Sequence, residues 1–167
     1  MDIRRATEKD AAGIAAVQVL TWQDTYQGIV ADAYLQEMSI VKREKKWKKL
    51  LVEQNDIVYV AVDNERIIGF ISGGRSRSPQ TIDEGELYAI YILPHYQKRG
   101  IGSLLMNHLI QDLQHVYAVM LIWVLQDNPS KRAYEKLGAV KEYERWLTIG
   151  EQSLKAEGYV LKVGRNS

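Results

Sequence analysis

Glu86-Leu87-Tyr88-Ala89-Ile90-Tyr91-Ile92-Leu93-Pro94 runs, after two residues, into Gln97-Lys98-Arg99-Gly100-Ile101-Gly102. The first stretch is rich in the aromatic and branched residues that favour strands. Beyond the glycines, Leu104, Leu105, Leu109 and Leu113 recur at helical spacing. A strand, a glycine-containing turn and a helix start aim several backbone N–H groups at one point. Those orphan amides and the helix dipole favour negative charge there. Gly100 and Gly102 carry no Cβ, so a phosphate could approach the backbone, and Lys98 and Arg99 add positive charge. Neither GxxxxGK[ST] nor GxGxxG is complete. Read by itself, the segment is either a phosphate cradle or an ordinary strand-to-helix turn.

Working outward, Ile3-Arg4-Arg5-Ala6 predicts a short strand. Thr7-x-x-Asp10 then resembles a capping box that opens a helix, with Ala11, Ile14, Val17 and Leu20 on one face. A second helical region is expected over about 31–53 and holds the most basic run of the chain, 42–49. That run is either the solvated face of a helix or a contact for an anionic partner. Strands are expected over 57–62 and 67–72, joined by a tight hairpin at Asp63-Asn64-Glu65-Arg66. Residues 76–83 read as a mobile loop before the strand at 86–93. Residues 119–125 read as a buried strand, and a helix is expected from Pro129 to Gly138. Strands around 141–149 and 158–163 close the chain. No repeat or linker is visible, so 1–167 reads as one α+β domain with a mixed, largely antiparallel sheet.

The 167 residues hold 22 Lys+Arg against 21 Asp+Glu, a formal net charge of +1. A dedicated nucleic-acid binder usually shows a basic excess, so none is expected. There are no cysteines, which excludes disulfides, thiolate metal sites and a cysteine nucleophile. The histidines, His95, His108 and His115, form no metal-binding motif, and no metal is expected. No signal-like segment and no membrane-spanning apolar run is legible. The expectation is a soluble cytoplasmic protein.

The central segment resembles the Gln/Arg-x-x-Gly-x-Gly/Ala signature of the GNAT superfamily of acetyl-CoA-dependent N-acetyltransferases. The similarity continues downstream in Asp127-Asn128-Pro129 and in Tyr134-Glu135-Lys136-Leu137-Gly138. It implies that the strand at 86–93 and the strand at 119–125 lie parallel and splay apart, flanked by helices, with acetyl-CoA in the opening. The backbone of Ile90, Tyr91 and Ile92 would then pair with pantetheine. The segment from Gln97 through Lys98, Arg99, Gly100, Ile101 and Gly102 to Ser103 would hold the pyrophosphate through its amides. Backbone near Ile92 would serve the oxyanion.

Acetyl transfer needs an unprotonated amine and a proton for the departing thiolate. Glu86, eleven residues before Gln97, matches the offset of the base in histone-acetylating members; otherwise it is a solvent-facing strand-end carboxylate. Tyr134 corresponds to the tyrosine that protonates the coenzyme thiolate in the family; otherwise it is a core residue. Many relatives place an asparagine seven residues before that tyrosine, whereas Asn128 lies six before Tyr134. One residue fewer turns a helix by about 100°, so Asn128 is either a coenzyme ligand or a helix cap. The stretch with Trp22, Tyr26 and Gly28-Ile29 is similar to the loop that borders the acceptor in a GNAT subgroup. Trp22 and Tyr26, together with Tyr88 on the side of Glu86, are therefore candidate acceptor contacts through cation–π or packing. Trp123 and Trp146 are expected in the core, and His108 is expected to be structural. The expected reaction is direct acetyl transfer to the amine of a small molecule, with a homodimer possible. The alternatives are a catalytically silent acyl-CoA-binding module and a protein N-terminal or lysine acetyltransferase.

Overall fold

The computed structural model describes residues 1–164, so the last three residues of the expected domain lie outside the described part. In chain order the elements are β1 (Asp2–Arg5), α1 (Ala11–Thr25), α2 (Asp32–Gln36), α3 (Ile40–Glu53), β2 (Ile57–Asp63), β3 (Arg66–Arg75), β4 (Glu84–Ile92), α4 (Ile101–Leu113), β5 (Val119–Leu125), α5 (Lys131–Lys136), β6 (Val140–Ile149) and β7 (Gln152–Lys162). The strands form one sheet in the order β1-β2-β3-β4-β5-β7-β6. Only β4 and β5 run parallel; all other neighbours are antiparallel. The fold is the mixed α+β arrangement expected.

The parallel pair is short. Glu84–Leu87 of β4 pair with Val119–Ile122 of β5 and pairing then stops, although both strands continue. A bulge in β4 accounts for the parting: Gly73 of β3 pairs with Leu87 and Ser72 with Ala89, leaving Tyr88 as the extra residue. A bulge bends its strand and increases the local twist. From Tyr88 onward β4 swings away and leaves an open backbone edge facing β5.

The main core lies between the sheet and helices α1, α3 and α4, with Phe70, Ile71, Leu105, Leu109 and Met120 fully buried. Trp47 of α3 meets Phe70 edge-on, with ring centroids 5.1 Å apart. The basic run therefore lines the outside of an amphipathic helix, with Lys42, Lys45, Lys46, Lys48 and Lys49 exposed. A second, smaller core packs Tyr26, Val30 and Leu35 onto Leu125 and Ala156 of β5 and β7. This places the chain around α2 across the far half of the sheet, beside the opening. Among the described residues no helix is long and apolar enough to cross a membrane.

Several local expectations change. The region 31–53 breaks into α2 and α3 because Ser39 caps a new helix, its Oγ accepting from the Lys42 amide at 3.2 Å. Leu20 is exposed although it continues the α1 spacing. β7 begins at Gln152, well before 158, since its first residues, 152–155, are held by pairing with β6, and β5 joins on the other side from Ala156. Trp146, expected in the core, is 68% exposed on the edge strand β6.

The loop over 76–83 is tethered. Ser76 Oγ donates to Glu84 Oε2 at 2.7 Å, and the Gln80 amide donates to the same oxygen at 3.0 Å. The Arg77 amide donates to Glu86 Oε1 at 3.0 Å. Two buried carboxylates thus satisfy the backbone of a loop whose composition suggested mobility.

Candidate active site

The gap between β4 and β5 opens into a cavity of about 840 Å³. One wall is β4 from Leu87 to Ile92, and the opposite wall is β5 from Ile122 to Leu125. At one end stand Gln97, Lys98, Gly100, Gly102 and Ser103, and at the other Trp22 of α1 and Tyr26 just after it with Leu147 and Ile149 of β6. Asn128, Ser130 and Tyr134 close the β5 side.

At the glycine end, Lys98 has φ of 61° and Gly100 has φ of 84°, directly before α4. Gly100 is suited to that left-handed geometry, and a Cβ there would meet nothing within 4 Å. The space above its backbone is open. The first intrahelical bond runs from the Leu104 amide to the Gly100 carbonyl at 3.2 Å, so the amides of Ile101, Gly102 and Ser103 have no helical carbonyl partner. Gln97 Nε2 donates to the Ile92 carbonyl at 2.9 Å, joining this turn to the end of β4. The cluster of N–H groups, with Lys98 beside it, fits a pyrophosphate. The Ile101 side chain is core, and Arg99 lies outside the cavity wall, 5.3 Å over the Tyr96 ring.

Tyr134 is buried in the cavity wall on α5. Burial pushes its hydroxyl up to about 12, while a hydrogen bond from Ser130 acts in the opposite direction. It therefore stays protonated throughout the physiological range. Four side chains beside it form a linked set. Trp22 Nε1 donates to Tyr91 Oη at 2.9 Å, the Tyr91 hydroxyl hydrogen-bonds to Tyr26, and Asn128 Nδ2 donates to Tyr26 Oη at 3.0 Å. Burial raises both the Tyr26 and Tyr91 hydroxyls.

The short spacing between Asn128 and Tyr134 is absorbed before the helix begins. Asn128 Oδ1 accepts from the Ser130 amide at 2.9 Å, and i−3 bonds from Arg132 and Ala133 tighten the turn. Helix α5 starts at Lys131 rather than at Pro129. Asn128 is thus both the cap of this turn and a wall of the cavity.

Glu86 is placed differently from its expected role. Its carboxylate does not line the cavity, and Oε1 accepts from the Arg77 amide at 3.0 Å and from Ser76 Oγ at 3.3 Å. The physical task visible for it is to anchor the 76–83 loop. Tyr88 does line the cavity, but its hydroxyl donates to the Arg75 carbonyl and Arg77 lies 3.7 Å over its ring. His108 bonds the Leu104 carbonyl through Nδ1 at 2.9 Å, as a structural residue would. Trp123, expected in the core, faces the cavity. Ser130 also lines it without a signal in the sequence, as an ordinary polar residue ahead of α5.

A strand edge opened by a bulge, a phosphate-sized nest of amides and a buried tyrosine share one cavity. Residues 16–139 match the profile of the Acetyltransferase (GNAT) family. The chain belongs to the GNAT family. It is 35% identical over 158 residues to an uncharacterized N-acetyltransferase, YuaI, of Bacillus subtilis, covering 93% of this chain and 90% of that protein. Among solved structures, the fold matches a GCN5-related N-acetyltransferase from Rhodopseudomonas palustris with a TM-score of 0.76 at 18% identity, covering 96% of this chain and 94% of that one. It also matches the PaiA N-acetyltransferase of Thermoplasma acidophilum, a complex with coenzyme A, with a TM-score of 0.70 at 21% identity, covering 93% and 96% of the two chains. The GNAT assignment agrees with the splayed strands and with the signature at Gln97 to Gly102.

Proposed function

We propose that this GNAT protein transfers the acetyl group of acetyl-CoA to the primary amine of a small molecule, in the cytoplasm where that thioester is made. The observation that carries this reading is the continuity of one cavity, from the amides ahead of α4, along the free edge of β4, to Tyr134 and the aromatic pair Trp22 and Tyr26. Pantetheine would add to the edge of β4 beyond the bulge, around Ile90 and Ile92, and the pyrophosphate would rest on the nest before α4. The cavity volume lies in the range of small-molecule sites.

Among the described residues, no Asp, Glu or His lines the cavity, so the amine reaches the thioester already neutral. Burial in an apolar aromatic site favours the uncharged form of an amine, and its proton leaves to solvent. Nitrogen attacks the acetyl carbonyl, the C–N bond forms, the C–S bond breaks, and the nitrogen releases a second proton to solvent, from which Tyr134 is reprotonated after turnover. Tyr134 supplies the proton to the thiolate, whose own proton affinity rises in the same dry surroundings.

An amine panel assayed by release of free coenzyme A tests the reading. Amine-dependent thiol release is expected, with Tyr134→Phe lowering kcat by roughly 100-fold and leaving acetyl-CoA affinity in place. Acetyl-CoA binding with no amine-dependent turnover would instead identify a silent acyl-CoA-binding module.

A further inference from the structure

We propose that Arg145, stacked on Trp123, is a carboxylate subsite, and that the acceptor is an amine carrying a carboxylate on an apolar body, as an apolar α-amino acid does. This rests on the cavity being the acetyl-transfer site.

Position is the first observation. Arg145 of β6 pairs with Ala156 of β7, which pairs with Leu125 of β5. Residues paired across a sheet share a face, as do residues two apart along a strand. Arg145 therefore rises from the face that presents Leu125, Leu147 and Ile149 to the cavity. It is not itself among the lining residues but stands next to Trp123, Leu125 and Leu147, which are. Its guanidinium carbon sits 4.0 Å from the centroid of the Trp123 ring. That ring lies over Gly158, where a Cβ would come within 2.9 Å of it and 3.0 Å of Tyr143 Cβ. A residue without a side chain makes the seat on which Trp123 and Arg145 stack.

Charge is the second. The opposite face of the same strands holds a closed network in which Lys131, Lys141 and Lys155 pair with Glu144 and Glu157. Arg145 has no carboxylate within salt-bridge distance among the described residues, and its neighbours Glu144 and Glu157 are committed to that other face. A lone guanidinium on an apolar sheet face calls for an anion.

Unmet hydrogen bonding is the third. Arg145 Nε and Trp123 Nε1 are both buried without an acceptor. Two neighbouring donor-only groups match a ligand group that only accepts, and a carboxylate is such a group. Arg145 as a whole is part-exposed. The charged residues lining the cavity are Lys98 and Lys136. A polycationic amine finds no counter-charge there, whereas Trp22, Tyr26, Leu147 and Ile149 suit an apolar body.

The test compares L-phenylalanine with L-phenylalaninamide and phenethylamine, by calorimetric titration into the coenzyme A-saturated protein and by initial rates of acetyl transfer. Wild type is expected to favour phenylalanine over its amide more than tenfold in kcat/KM. Arg145→Gln should bring that ratio near one, and Arg145→Lys should leave it intermediate, because a lysine keeps the charge without the planar fork. Coenzyme A affinity and thermal melting of each variant establish that the fold and the donor site are intact. Equal or greater preference for the amide overturns the subsite, as does an Arg145→Gln loss that falls equally on acid and amide. Acetylation of phenethylamine alone would leave acetyl transfer standing and remove the subsite. Binding of phenylalanine that depends on Arg145 without turnover would keep the subsite and remove the transferase reading.

Discussion

At the scale of single residues, the acidic candidate Glu86 and the aromatic candidate Tyr134 differ in where the fold places them. Tyr134 stands in the cavity wall with its proton held by burial, whereas Glu86 spends its oxygen on the backbone of Arg77. Glu86→Gln keeps an acceptor for that amide, so its kcat should stay within about threefold of wild type, against roughly 100-fold for Tyr134→Phe; steady-state rates with a responding amine decide this. Asp10 makes a pH-dependent contribution. Arg4 donates to it twice, at 2.8 and 3.0 Å, and the Thr7 amide donates at 2.8 Å. The Arg4 hydrogen bonds hold its carboxyl below the usual range. A depressed folded value stabilises the protein above the unfolded carboxylate value of about 3.9 and ceases to do so as pH falls through the folded value. Asp10→Asn should therefore lower Tm at pH 7 and progressively less as the pH drops below about 4, as followed by circular dichroism.

At the scale of elements, the site is made by terminations and irregularities more than by regular structure. The extra residue Tyr88 ends the β4–β5 pairing, Gly100 turns the chain into α4 with its amides facing outward, and Asn128 gathers a tight turn ahead of α5. Gly100→Val places a β-branched residue at φ of 84°, a strain of order 1–3 kcal/mol. It should raise the KM for acetyl-CoA several-fold while kcat at saturation changes less, a split that initial rates at varied acetyl-CoA will show. The Trp123 seat is similarly narrow. Gly158→Ala brings a methyl within 2.9 Å of the ring and should cost about 1–3 kcal/mol, measured by urea unfolding. The same substitution should shift the fluorescence of Trp123, because the ring must lift from the sheet.

For the whole molecule, one main core carries the stability and the splayed strands sit at its margin. Leu109 is fully buried between α4 and the sheet, so Leu109→Ala should cost about 2–5 kcal/mol. At roughly 2–4 °C per kcal/mol for a domain of this size, calorimetry should show Tm falling by about 4–20 °C. Much of this architecture was legible beforehand. Alternation and turn residues marked β2, β3 and β4, the leucine spacing marked α4, and the glycine pair marked a phosphate-sized nest. Those features are local, so the chain's own periodicity and backbone preferences determine them. The break between α2 and α3, the tethered 76–83 loop, the length of β7 and the exposure of Trp146 were not legible, because each depends on partners distant in sequence. The same holds for the site: whether the side chains of Glu86 and Tyr134 reach the cavity was not legible, because packing decides it. The sequence by itself determined that a strand, a glycine turn and a helix would follow one another at the centre of the chain. Only the tertiary structure decided where the strands part, which aromatic rings share the opening, and that Arg145 stacks on Trp123 beside it, since sheet register and side-chain burial are properties of the assembled chain.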